Sequence, residues 1–131
     1  MQRSMKGIRL GMTVREVRDR LGAPDRISFR SDELQGRVRV YAYGLTRASF
    51  SPGGRVNSIS TTSRHERTSR GIGVGSARSQ VARKVPGVRC RLEFATDHCY
   101  VGSFDPGRRV TDFLIDANGR VRRVTIGFVI D

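Results

Sequence analysis

The chain has 131 residues, enough for one ordinary domain or for two small ones sharing a core, and only 37% of them are hydrophobic, with no tryptophan. No run is long enough to cross a membrane as a helix, and no hydrophobic signal region follows Met1. The formal charge is +13. Such a field favours polyanionic partners, although an arginine excess spread along the whole chain is also what GC-rich coding produces, since only Lys6 and Lys84 are lysine.

Met1 to Ser4 fits a cytosolic start or a chain trimmed of its export signal. Residues 1–11 read as irregular or as one helical turn, with Ile8 and Leu10 dipping into the core. Thr13 then offers an N-cap and Glu16 completes a capping box, so a helix is predicted from about Val14 to Leu21. Val14, Val17 and Leu21 form its inward stripe, and Gly22 and Pro24 end it. Period-two alternation follows, and strands are predicted at Arg26 to Arg30, Arg37 to Tyr43, Thr46 to Ser51 and Arg55 to Thr62. Ser31 to Gly36 and Ser51-Pro52-Gly53-Gly54 are turn sequences between them. Ser63 to Arg70 carries no apolar residue and reads as a linker. A second helix spans roughly Ala77 to Val85 and is ended by Pro86-Gly87. Strands at about Arg89 to Phe94, Cys99 to Phe104, Arg109 to Ile115 and Arg120 to Ile130 complete the chain, with turns at Asp105-Pro106-Gly107 and Asp116-Ala117-Asn118-Gly119.

The two halves echo one another. Gly7, Gly11, Val17 and Leu21 match Gly71, Gly75, Val81 and Val85 at a single offset of about half the chain. Gly54-Arg55-Val56 matches Gly119-Arg120-Val121 at an offset one residue longer. The expected fold is therefore α+β: two tandem helix-plus-antiparallel-meander repeats forming one curved sheet with helices on one face. Its boundaries are 1–64 for the first repeat, 65–70 for the linker and 71–131 for the second repeat.

The string Gly11-Met12-Thr13, Glu16-Val17 and Leu21-Gly22-Ala23-Pro24 resembles the opening of small bacterial outer-membrane assembly lipoproteins of the SmpA/OmlA type, as does the hairpin with Val56 and Ile59. Two such modules in tandem resemble the secreted β-lactamase-inhibitor proteins. This resemblance implies a non-enzymatic, secreted or envelope protein that grips a partner protein, a β-lactamase-like or cell-envelope one, on an open sheet face. The sequence departs from that pattern in lacking tryptophan, in the Ser51-Pro52-Gly53-Gly54 turn where an acidic residue is usual, and in having cysteines only in its second half.

Chemistry-bearing clusters are sparse. Cys90 and Cys99 lie close together in a strand-rich segment without a Cys-x-x-Cys pair, which favours a local disulfide over two buried thiols. His65, Cys90, His98 and Cys99 lack zinc-ligand spacing, so no metal is expected, and no cofactor either. Gly71-Ile72-Gly73-Val74-Gly75 follows a polar linker rather than a strand and has the wrong spacing for a dinucleotide loop. Asp116 to Gly119 begins like a calcium loop, but without the closing glutamate it reads as a hairpin turn. No serine, histidine and acid come together in the sequence as a catalytic set, and Asp112 with Asp116 is an isolated pair. What remains is a surface. In Arg37 to Tyr43, burying Val38, Val40 and Ala42 leaves Arg37, Arg39, Tyr41 and Tyr43 outward, with Arg47 and Arg123 beside them. Arginine and tyrosine anchor interfaces, so these six residues are the candidate partner-binding set. A polyanion, either nucleic acid or an acidic envelope polymer, is the alternative partner.

Overall fold

Lys6 and Gly7 both have positive φ, 54° and 81°, which closes a two-residue turn between β1 (Ser4–Met5) and β2 (Ile8–Arg9). The opening is thus a small hairpin rather than a helical turn, and it seats Ile8 fully in the core. The computed structural model describes residues 4–33, 36–93, 95–103 and 107–128. The expected turn residues Leu34, Gln35, Asp105 and Pro106 and the strand ends Phe94, Phe104 and 129–130 lie outside the described residues.

Helix α1 (Val14–Leu21) follows the sequence punctuation closely. The Thr13 hydroxyl accepts the Glu16 N–H at 3.1 Å, and a Glu16 carboxylate oxygen accepts the Thr13 N–H at 3.2 Å. The Thr13 backbone N–H, then its hydroxyl, hold the Glu16 carboxyl below its usual range. This contribution is complete above the unfolded carboxylate pKa and is lost as pH falls through the lowered folded value. Thr13→Ala should cost about 1 kcal/mol by thermal denaturation, and Glu16→Ala should flatten the acid limb of the stability profile.

Four strands come next, β3 (Arg26–Asp32), β4 (Gly36–Tyr43), β5 (Thr46–Phe50) and β6 (Val56–Thr61). Helix α2 (Arg78–Lys84) has half of the same cap. Gln80 accepts the Ala77 N–H at 2.9 Å, while Ala77 has no side-chain acceptor to return the bond. Strands β7 (Arg89–Glu93), β8 (Thr96–Gly102), β9 (Arg109–Ile115) and β10 (Val121–Phe128) follow. All eight strands from β3 onward lie in one antiparallel sheet of order β3-β4-β5-β6-β10-β9-β8-β7.

This corrects the expected α+β fold of two helix-plus-meander repeats. The protein is predominantly an eight-stranded antiparallel sheet, continuous through the β6–β10 pairing, with helices of only eight and seven residues. Caps and breakers mark where a helix begins and ends but not how much of the fold it supplies. Each helix fully buries one residue, Val17 or Val81, and most of the remaining core comes from the sheet, with Phe50, Ile59, Phe113, Val124 and Ile126 joined by Met12, Ile72 and Val74 from the connecting segments.

The matched glycines anchor matched contacts. Gly11 N–H donates to the Val56 carbonyl and the Arg55 guanidinium donates to the Gly11 carbonyl. The same two bonds recur among Gly75, Val121 and Arg120. Thus the glycine-rich stretch 71–75 braces a strand rather than cradling a phosphate.

Cys90 and Cys99 are directly opposite one another in the β7–β8 pair and are joined as a disulfide. It ties the edge strand β7, which buries little on its own, to the fully buried Cys99. Closing a loop of this size stabilises by about 2–3 kcal/mol in the chain-entropy model. Denaturation of the Cys90→Ser/Cys99→Ser protein should show a loss of about that size, with the rest of the fold intact.

Candidate functional site: the open face of the sheet

Directly opposed residues of antiparallel strands share a face, so the register sorts the sheet into two surfaces. One row runs Ile27, Tyr41, Ala48, Ile59 and Ile126, and both helices pack on that side. The row beside it, Ser28, Val40, Ser49, Ser58 and Gly127, faces away from the helices. Among the described residues no helix covers this second face.

Val38 of β4 is fully buried as the sequence expectation had it, but Tyr41 and Tyr43 do not project to solvent. Tyr41 and Tyr43 are 2% and 5% exposed and sit beneath α1. Arg18 Nε donates to the Tyr41 hydroxyl at 3.2 Å, and the Tyr43 hydroxyl donates to the Gly22 carbonyl at 3.0 Å. Burial raises the Tyr43 phenol above its usual range, which keeps it a neutral donor. The tyrosines therefore belong to the core. The physical reason is size: a tyrosine ring buries more area than valine, provided that its hydroxyl finds a partner, and Arg18 of α1 and the Gly22 C-cap supply one each. Arg37 and Arg39 project on the tyrosine side but remain exposed, with their guanidinium groups 4.2 and 6.0 Å from the Phe29 ring. Phe50, Phe113 and Ile115 occupy core positions.

Arg47 and Arg123 do come together, on the face away from the helices. With Arg30 they line a recess of about 420 Å³, whose floor is Ser28, Val40, Ser49, Ser58 and Ser60. Register explains the grouping, because Arg47 opposes Ala42 and Ser60, and Thr125 continues that row two residues from Arg123. Arg30 Nη2 donates to the Ser49 hydroxyl at 3.5 Å, which orients its guanidinium group over the recess. Among the described residues no carboxylate forms an ion pair with Arg30, Arg47 or Arg123. The recess thus presents three cations without an ion-pair partner among the described residues and four serine hydroxyls, a set that suits carboxylate or phosphate oxygens.

At the opposite end of the same face a histidine sits between two carboxylates. His98 Nδ1 is 2.8 Å from Asp112 Oδ1, its Nε2 is 3.7 Å from Glu93, and its ring lies 5.4 Å from that of Tyr100. Arg91 bonds to Glu93 at 3.5 Å. His98 is therefore clasped between two carboxylates that join β7, β8 and β9. The other candidate ligands are dispersed: the two cysteines bind one another and His65 is exposed in the segment between the sheet halves. Asp116 accepts the N–H groups of Asn118 and Arg120, which makes it the keystone of a turn.

Sequence reasoning did not single out Arg30, the serines or the His98–Asp112 pair. Ser58-Ile59-Ser60 carries the signal, since its alternation around a core isoleucine puts both serines on the far face.

No protein-family model matches the sequence, and no curated protein matches it either. Its fold is similar to solved structures. An extracellular protein containing an SCP domain from Bacillus anthracis superposes over 91% of this chain and 44% of its own, with TM-score 0.60 and 11% identity. A DUF4309 family protein from Bacillus subtilis matches over 94% and 83%, with TM-score 0.57 and 17% identity. A cysteine-rich secretory protein from Staphylococcus aureus matches over 91% and 44%, with TM-score 0.54 and 12% identity. The chain spans less than half the length of the first and third of these.

Proposed function

We propose that this protein is a non-enzymatic binding module of the cell exterior or envelope, which holds a partner protein by an acidic patch on the open face of its sheet. The observation that carries the reading is the recess of Arg30, Arg47 and Arg123, set in serine hydroxyls and lacking internal carboxylates. Arginine fits carboxylates in a fixed, two-pronged geometry, so such a recess selects partners by position as well as charge. The Cys90–Cys99 disulfide suits an oxidising compartment. The structural neighbours described as extracellular and secretory support the same location. The His98, Asp112 and Glu93 side chains engage one another, which suits a structural clasp better than acid–base chemistry.

The net charge of +13 favours a second reading, a polyanion as ligand. Affinity capture from the envelope and extracellular fractions, with nuclease-treated and untreated arms and a salt series, separates the two. A protein partner should survive nuclease and moderate salt. A polyanion should give a steep, linear loss of log affinity with log salt. Recovery of nucleic acid or acidic polymer alone would overturn the first reading.

A further inference from the structure

We infer that the outer edge of β3 is a docking site for an acidic, extended segment of another protein, which adds to the sheet as a further strand. Strand β3 is an end strand of the sheet, so among the described residues no strand pairs with its outer side. On its helix-facing side Ile27 and Phe29 are 44% and 49% exposed. They continue the rows of Tyr41 and Phe50, yet neither belongs to the buried core cluster. A second apolar surface lies next to Phe29, a recess of about 190 Å³ lined by Val14, Phe50 and Pro52, with Arg37 and Arg39 at its rim. An open ladder edge supplies main-chain bonds, and alternate pockets supply selectivity. This is the geometry of strand addition.

Charge identifies the occupant. Arg26 and Arg30 project from β3 and Arg37 and Arg39 from β4, and among the described residues none of the four has an ion-pair partner. Exposed apolar edges invite pairing between copies, and charges on the edge are the usual defence. A second copy of this chain brings another +13 and its own Arg26 and Arg30. A strand alternating carboxylates with apolar side chains complements both features of β3: its apolar residues cover Ile27 and Phe29 on one face while its acids meet Arg26 and Arg30 on the other.

The test uses a short, end-blocked synthetic peptide of alternating glutamate and valine, with a control in which proline replaces every valine. The control keeps the charge but cannot form a ladder. Fluorescence anisotropy should show the alternating peptide binding at least about tenfold more tightly than the control. Hydrogen exchange should show new protection in Arg26–Asp32. Ile27→Glu/Phe29→Glu should abolish both effects in a protein whose circular dichroism is unchanged, since both side chains are exposed. Arg47→Glu/Arg123→Glu should leave the β3 protection in place. Equal binding of the two peptides, no binding, or protection confined to the open face would overturn the inference. So would a dimer by sedimentation whose β3 is protected without peptide, which would make a second copy the occupant.

Discussion

Arg47→Glu combined with Arg123→Glu is expected to weaken binding of the captured partner by roughly 2–4 kcal/mol, or about 30- to 1,000-fold. Both side chains are exposed and neither makes an ion pair within the described residues, so the folded protein should lose almost nothing. The reversal does more than remove two contacts, because it sets carboxylates against the partner's own in a recess floored by serines. Isothermal calorimetry on wild type and variant measures the difference. Arg47→Lys/Arg123→Lys is the informative control: it keeps the charge but not the planar fork, and should recover only part of the affinity. Full recovery with lysine would mean that the recess reads net charge rather than geometry.

The second large effect falls on stability. Tyr41→Ala should cost about 3–5 kcal/mol, because it removes a fully buried ring and leaves a cavity beneath α1. The ring meets Phe50 edge-on at 5.0 Å, so that neighbour loses packing as well. Tyr41→Phe keeps the ring and removes only the bond from Arg18, and should cost about 1 kcal/mol. Chemical denaturation of the pair separates ring from hydroxyl. Were Tyr41 instead an exposed interface anchor, Tyr41→Ala would cost affinity and spare stability.

The contrast between these two experiments marks how far the sequence could be read. Local punctuation was sufficient for α1, where Thr13, Glu16 and Gly22 specify start and stop through bonds between near neighbours. It was likewise sufficient for β9, whose alternation from Arg109 to Ile115 defines its limits. The Cys90–Cys99 bridge was legible because two cysteines flanking one short hairpin have little choice of partner. The face of β4 was not. Alternation separates Val38, Val40 and Ala42 from Tyr41 and Tyr43, but the choice of which set turns inward depends on what packs above, and α1 comes from elsewhere in the chain. That one difference moved the candidate site: the tyrosines left it, Arg47 and Arg123 stayed, and Arg30 and the serines joined. The fold class was misjudged for a related reason. Two short helices with clear stop signals dominate the sequence pattern, whereas each supplies only eight or seven residues and one fully buried side chain, because the eight strands of the single sheet fill most of the core.

Site-specific photo-crosslinking measures most directly which face meets the partner. One protein carries benzoylphenylalanine in place of Ser60, on the serine floor between Arg47 and Thr125, and a second carries it in place of Arg15, on the exposed side of α1. After irradiation with the captured partner, the open-face reading predicts adducts from the Ser60 position and none from the Arg15 position. Adducts from Arg15 with none from Ser60 would contradict it.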